Sequence, residues 1–530
     1  MDHDASVRRR ANQGRGTIHR ALLQRRARRS HAPAFGRPAA ARRLPPETMT
    51  PTFAQALSAA LLRRSSPCQQ FPLRAGAMLL LALLCASIAP ARQPNIVLIL
   101  LDDMGYRDVG FAGNKYISTP NIDKLAQSGV VFSQCYASAP NCAPTRACLL
   151  TGQYAPRHGV YTVVDDRYAP GQPHMKVLST KGNDELPAKT KTVADVLKSN
   201  GYATALIGMW NLGRGRNGSP GSPLSRGFDV YKRPDDVKFE KDAYMDGKGR
   251  YLSDALCDEA LAWIDQHKSK PFFLYYAEHS VHEPFDPKPE LVAKYKAKTP
   301  TGLDKGITPE YAATVEAVDF SIGRIMAKLE ADGLTKDTLV IFTSDNGGLP
   351  YVVNPLRGSK GLLYEGGIRV PGAVSWPGVI PAGKTYDEPV ASMDFMPTIL
   401  EAAGIPLPKD QPTDGISLLR QLKSGAPLGR DAIYWHFPCY IGKGEPMSLL
   451  RAGDYKLIQK FAGPTFELYD VKKDPGEAQD LAKTQPAKVE ELKNLLVAWQ
   501  KDTGAFLADK KNEAYDPNAK EQRGGGKKKR

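Results

Sequence analysis

What the chain has little of narrows it first. Seven cysteines fall in 530 residues, at positions 68, 85, 135, 142, 148, 257 and 439, and no two stand in Cys-x-x-Cys spacing. That argues against a zinc knuckle or a thioredoxin-type motif. No internal repeat is evident, so a repeat architecture has no support. The apolar stretch at 77–89, AMLLLALLCASIA, is too short to span a bilayer comfortably. The formal charge of +16 is a matter of position. Residues 1–76 hold fifteen Arg and three acids, and the chain ends in Gly-Gly-Gly-Lys-Lys-Lys-Arg, which leaves the rest near neutral. A basic partner-binding surface is therefore unsupported, and no nucleic-acid partner is expected.

The stretch at 77–89 follows Arg74 and runs into Ala89-Pro90-Ala91, a small-x-small cleavage pattern. Residues 1–91 read as a leader and signal peptide. The expectation is export to the periplasm or the exterior, with no stable membrane span in the mature chain. Export permits disulfides among Cys135, Cys148, Cys257 and Cys439; buried free thiols fit equally well.

The apolar fraction, 42%, supports a real core. Four strand-like runs stand out: Asn95–Leu101 (NIVLILL), Tyr202–Ile207 (YATALI), Pro271–Ala277 (PFFLYYA) and Thr338–Thr343 (TLVIFT). Three are nearly continuous in apolar residues, as strands covered on both faces should be. Alternation with helical patterns, such as Leu186–Ser199 and Tyr311–Leu329, predicts an α/β sheet. Each run ends in polar residues: Asp102-Asp103, Met209-Trp210-Asn211, His279 with His282, and Asp345-Asn346. Ligands of open α/β sheets bind beyond the carboxyl ends of the strands, so four distant segments can share one crevice. Asp102, Asp103, Asp345 and Asn346 are hard oxygen donors, suited to Ca²⁺ or Mg²⁺.

After about residue 420 short strands follow, at Ala432–His436, Lys456–Lys460 and Phe466–Tyr469, and then a helix over Lys488–Lys501. The expected organisation is a catalytic α/β domain at 92–420, a smaller α+β domain at 421–515, and a disordered basic tail at 516–530.

The most specific motif is Cys142-Ala143-Pro144-Thr145-Arg146. Pro144 is expected to open a helix that runs to Gly152, with Cys142 at its positive end. Arg146, one turn on, can reach back towards position 142. A thiolate or other anion held there would be reactive.

This motif, with Leu149-Leu150-Thr151-Gly152, resembles the signature of type I, formylglycine-dependent sulfatases of the alkaline phosphatase superfamily. The resemblance runs from Pro94 to about Leu481 through PNIVLILLDDMGY, TPNIDKLAQSGVVF, TSDNGG, LRGSKGLLYEGGIRVPG, MDFMPTILEAAG and ELYDVKKDPGEAQDLA. It implies an alkaline-phosphatase-like fold: a large mixed, mostly parallel sheet flanked by helices, with the smaller C-terminal domain. It also implies that Cys142 is oxidised to formylglycine by a formylglycine-generating or anaerobic sulfatase-maturating enzyme. One hydroxyl of the aldehyde hydrate attacks sulfur, and the other then collapses to the aldehyde and expels sulfate, which a serine ester could not do readily. Asp102, Asp103, Asp345, Asn346 and the modified Cys142 are implied as ligands of Ca²⁺, with Mg²⁺ as the alternative. Arg146 is implied as part of the catalytic group. His282 and Lys360 match positions that bind sulfate and protonate the leaving oxygen; His279 has no such match and reads as structural. Asn346 separates the chain from phosphate-processing relatives, which place His there.

One segment departs from the pattern. Where the family reads Gly-Lys-Trp-His-Leu-Gly, this chain has Gly208-Met209-Trp210-Asn211-Leu212-Gly213. Met209 carries no charge and Asn211 is no base near neutral pH. Asn211 is left as a substrate-binding residue beside His282, Lys360 and His436, and slow turnover is expected. Trp435, His436 and Tyr440 are candidates for the outer wall of the pocket or for core. The substrate is read as a sulfated carbohydrate, small or polymeric, or an aryl sulfate. Two alternatives are a catalytically silent, glycan-binding member of the same fold and a phosphonate or phosphodiester hydrolase.

Overall fold

A computed structural model describes residues 93–163, 169–213, 219–236, 245–246, 250–285, 287–442 and 444–519. The leader and signal expected at 1–91 lie outside them, as do residues 520–530. The described residues belong to one compact unit, Pro90–Arg530.

Its centre is an eight-stranded sheet. In chain order the strands are β1 (Asn95–Leu101), β2 (Val130–Phe132), β3 (Ala203–Gly208), β4 (Val230–Lys232), β5 (Phe272–Ala277), β6 (Thr338–Ser344), β7 (Gly372–Ser375) and β8 (Lys384–Tyr386). The spatial order is β8-β2-β7-β6-β1-β5-β3-β4. Strands β6, β1, β5, β3 and β4 run parallel, while β7 is antiparallel to both its neighbours. Side chains alternate faces along a strand. Accordingly Ile96, Leu98, Leu100, Phe273, Tyr275 and Ile341 enter one core, and Val97, Ile99, Leu101, Leu274, Tyr276 and Phe342 another. Both faces are dry, which is why these runs read as continuous apolar sequence. The fold is the mixed, mostly parallel, alkaline-phosphatase-like architecture.

The helices that matter here are α1 (Cys142–Thr151), α2 (Val193–Ser199), α3 (Pro309–Ala331) and α4 (Pro486–Thr503). Helix α1 begins at Cys142 itself, with Asn141 as N-cap, two residues earlier than Pro144 suggested; Gly152 closes it in a left-handed conformation. Helix α2 starts seven residues later than the apolar spacing indicated, because Thr192 and Asp195 form a capping box.

A second, four-stranded antiparallel sheet comprises β9 (Ile433–Phe437), β10 (Met447–Ala452), β11 (Tyr455–Lys460) and β12 (Thr465–Asp470). It shares a core with α4 and with Tyr136, Leu363 and Ile368 of the larger part. Of the expected tail, residues 516–519 are described, and the Asp516 amide donates to the Pro173 carbonyl at 2.8 Å. The five described cysteines, Cys135, Cys142, Cys148, Cys257 and Cys439, are free and buried. Among the described residues no helix is long and apolar enough to cross a membrane.

Candidate active site

Register builds the site. Leu101 pairs with Ser344 and Leu100 with Ala277, while Gly208 also pairs with Ala277. The residues that follow these strand ends are therefore neighbours. The ladder continues into them: Asp345 N–H donates to the Leu101 carbonyl at 3.0 Å, Met209 N–H to Ala277 at 2.7 Å and Val281 N–H to Asp102 at 2.7 Å. Helix α1 then delivers Cys142 from the side, its thiol 3.3 Å from Asp102 Oδ1.

Asp102, Asp103, Asp345 and Cys142 are buried, and each offers a ligand atom within 4.8 Å of the others. Asn346 Nδ2 donates to Asp103 Oδ1 at 2.7 Å, but its Oδ1 is buried without a hydrogen-bond partner. An orphaned amide oxygen beside three carboxylates fits a hard cation. The charges agree. Three buried carboxylates face two fixed cations, Arg146 and Lys360, so a divalent ion would leave the site positive, as an anionic ester requires.

Arg146 is fully buried. Its Nε and Nη2 donate to Asp345 Oδ2 at 3.0 and 2.7 Å, Nη2 also reaches Asp102 Oδ2 at 3.1 Å, and Nη1 donates to the Met209 carbonyl at 2.8 Å. It thus ties three strand ends together, and it also feels the charge of Cys142. Lys360 Nζ lies 2.7 and 2.8 Å from the two oxygens of Asp103. His282 Nε2 is 3.7 Å from Asp103 Oδ2, with Nδ1–H donating to the Glu283 carbonyl at 2.6 Å. Asn211 Nδ2 is 3.4 Å from Asp102 Oδ2. Every expected catalytic and metal-binding residue, with Asn211, is brought to this centre; His436 is not, nor are the pocket-wall candidates Trp435 and Tyr440.

Titration follows from the crowding. Burial opposes ionisation of Asp102, but Arg146 and then Lys360 outweigh it and hold the group below its usual range. Burial and the charge of Asp102 push Asp103 up, and push Asp345 up to about 7. Burial, then Asp102 and Asp345, drive the Cys142 thiol well above its ordinary value. Arg146 gives its hydrogen bonds to the carboxylates, and it is their charges, with burial, that disfavour the anion at Cys142.

His436, expected to bind substrate, is a correction. It is 3% exposed; Nε2–H donates to the Phe506 carbonyl at 2.8 Å, which leaves Nδ1 to accept from the Ser448 hydroxyl at 2.6 Å. With both nitrogens engaged it is a core residue. Trp435 is core as well, donating to the Ala137 carbonyl at 2.7 Å. Tyr440 is half-buried and its hydroxyl accepts from Val177 N–H at 3.1 Å.

Two residues were under-read. His279 stacks on His282 with ring centroids 5.5 Å apart and feels the charges of Asp102 and Arg146. Glu278 is fully buried and accepts from the amides of His279 and Ser280, which shapes the turn that carries His282. The signal for both was their place directly after a buried strand.

A parallel α/β sheet that gathers carboxylates, an amide, Arg146 and Lys360 at its carboxyl edge defines a hydrolase of anionic esters in the alkaline-phosphatase-like class. Comparison with known proteins narrows the class. Residues 94–405 match the family model Sulfatase, and 359–502 match N-sulphoglucosamine sulphohydrolase, C-terminal. A sulfatase of Formosa agariphila is 35% identical over 77% of this chain and 89% of its own. Human arylsulfatase A is 32% identical over 78% of this chain and 89% of its own. The solved structure of Ps i-CgsB in complex with k-i-k-neocarrahexaose has a TM-score of 0.66 at 30% identity, and the match covers 78% of this chain and 94% of that one. The chain belongs to the sulfatase family and is a sulfuric ester hydrolase.

Proposed function

We propose that the chain is an exported, Ca²⁺-dependent sulfatase that acts on a sulfated carbohydrate or aryl sulfate through formylglycine made from Cys142. The observation that carries this reading is the meeting of Cys142 with Asp102, Asp103, Asp345 and the orphaned Asn346 oxygen at adjoining strand ends. When bound, the cation supplies Lewis acidity, and the hydrated aldehyde supplies a hydroxyl for attack on sulfur. The chain's own residues do the rest. Asp102, Asp103, Asp345 and Asn346 would hold the ion, and Arg146 keeps Asp102 and Asp345 in register. Lys360 and His282, both against Asp103, bind the sulfate and hand a proton to the departing oxygen. The carbohydrate expectation draws support from the oligosaccharide in the Ps i-CgsB complex and from the sulphoglucosamine sulphohydrolase model. The alternative metal is Mg²⁺, and the partner in maturation is a formylglycine-generating or anaerobic sulfatase-maturating enzyme.

Met209 and Asn211 favour a second reading, a silent glycan-binding protein, since neither can serve as a base. Kinetics and mass spectrometry separate the two. Formylglycine in the Cys142 peptide, and a burst of about one phenol per site from an aryl sulfate, support the enzyme with slow sulfate release. Unmodified cysteine after co-expression with a maturation enzyme, with no burst, supports the binder. A faster rate on aryl phosphonates than on aryl sulfates would move the assignment to phosphonate hydrolysis.

A further inference from the structure

Lys360 owes its place to the loop that carries it, residues 357–368. At the site, Lys360 N–H donates to the Gly348 carbonyl at 3.2 Å, Gly361 N–H to Pro140 at 2.8 Å and Gly347 N–H to Gly367 at 2.9 Å. The loop therefore touches the segments on either side of it, just before Cys142 and just after Asn346. On the same side Tyr136 O–H donates to Glu365 Oε2 at 2.9 Å and Ala137 N–H to the Ile368 carbonyl at 2.8 Å, and a second group of attachments comes from the C-terminal sheet and the turn after it. Glu365 N–H donates to Glu477 Oε2 at 2.7 Å, and Arg357 Nη1 donates to the Tyr469 hydroxyl at 2.7 Å and the Glu477 carbonyl at 3.3 Å. Lys456 Nζ bridges Glu365 Oε1 at 3.1 Å and Glu477 Oε1 at 2.8 Å, and all three side chains are fully buried.

A buried ion triad is poor evidence for stability, because apolar residues of the same shape often do as well. Glu477 also holds a left-handed backbone, φ 52°, a conformation unfavourable for a non-glycine residue. Desolvation and strain are thus concentrated at one residue, and that residue grips the loop of Lys360 at both ends.

We propose that Glu477, through Lys456 and Glu365, is a positioning residue for Lys360. It fixes the 357–368 loop from the C-terminal sheet so that Nζ is held at Asp103. This rests on the reading of Lys360 as proton donor to the leaving oxygen. Such a donor matters when the leaving alcohol is weakly acidic and hardly at all when it is an acidic phenol. A loosened Lys360 therefore slows poor leaving groups selectively. A purely structural defect lowers the amount of active enzyme and slows all esters alike.

The test is the burst rate, which reports the first chemical step, measured on the matured protein with sulfates of phenols from acidic to weakly acidic and one sugar sulfate. Lys360→Ala is expected to steepen the dependence on the leaving group. Glu477→Gln is expected to follow it, losing about tenfold or more on the poorest leaving group and little on the best. If Lys360→Ala slows every ester equally, the reading of Lys360 is wrong. If Lys360→Ala behaves as expected and Glu477→Gln shows uniform loss or none, the positioning role alone is wrong. Should Glu477→Gln fail to fold, Arg357→Met decides. Arg357 is 40% exposed and ties the same loop to the Glu477 carbonyl. Selective loss in that variant supports the proposal; uniform loss or none overturns it.

Discussion

Asn211 sits with φ 56°, in the left-handed region that Asn and His both tolerate, and its amide lies 3.4 Å from Asp102. The backbone therefore accepts His there without rearrangement. Asn211→His with Met209→Lys is expected to raise steady-state turnover by about a hundredfold, the usual scale of a general base, while burst size stays the same. Unchanged turnover would mean that sulfate release is limited elsewhere. At His436 the chemistry concerns stability. Burial lowers its pKa to about 4, while the unfolded side chain titrates near ~6.5. The unfolded state takes up the proton first, so this contribution to stability is whole above that pH and is lost as pH falls towards 4. Between pH 7.5 and 5.5 the wild type should lose about 1.4 kcal/mol more than His436→Gln in urea unfolding. Equal losses would show that the imidazole titrates normally. The contrast between these residues explains what the sequence made legible. Asp102, Asp345 and Cys142 announce themselves by ending apolar runs or opening a helix. His436 lies within a strand, and no pattern there tells a satisfied core histidine from a ligand.

Among the elements, continuous apolar runs located the central strands within a residue, because a strand with two dry faces has no other composition open to it. The strand Met447–Ala452 was missed because Ser448 and Arg451 interrupt it. Both are buried, and partners on distant elements, among them His436, Gln500, Tyr136 and Gln134, satisfy them. Such partners cannot be seen in a local window. Gly208 shows the opposite case, a residue whose local oddity has a structural cause. It closes β3 with φ 114°, and a Cβ there would lie 1.8 Å from the Ala277 carbonyl oxygen. That same carbonyl accepts the Met209 N–H. Gly208→Ala is expected to cost at least about 3 kcal/mol and to displace the Met209–Asn211 turn. The displacement would show as a loss of kcat/KM per folded molecule, measured against active-site burst titration. Retained stability and kinetics would mean that the strand end can move apart freely.

For the molecule as a whole, the site is a place where folding has gathered like charge. Asp102, Asp103 and Asp345 are buried together, and burial with the charge of Asp102 resists ionisation of both Asp103 and Asp345. Arg146 and Lys360 leave one negative charge unmatched, so the cheapest relief available to the folded chain is a divalent ion that the unfolded chain cannot bind. Anything that binds only the folded state stabilises it by mass action, by about 2.7 kcal/mol at a hundred times its dissociation constant. Thermal unfolding of the chelator-treated protein should therefore move to higher temperature as Ca²⁺ is added, in a saturable way. Asp102→Asn and Asp345→Asn should abolish the shift. Mg²⁺ needs near-ideal octahedral geometry and gives up its waters reluctantly, so a larger shift with Ca²⁺ at equal concentration is expected if the all-protein ligand set holds the ion. A shift that persists in both Asp→Asn variants would place the ion elsewhere on the protein, and the absence of any shift would leave the buried carboxylates balanced by protons alone.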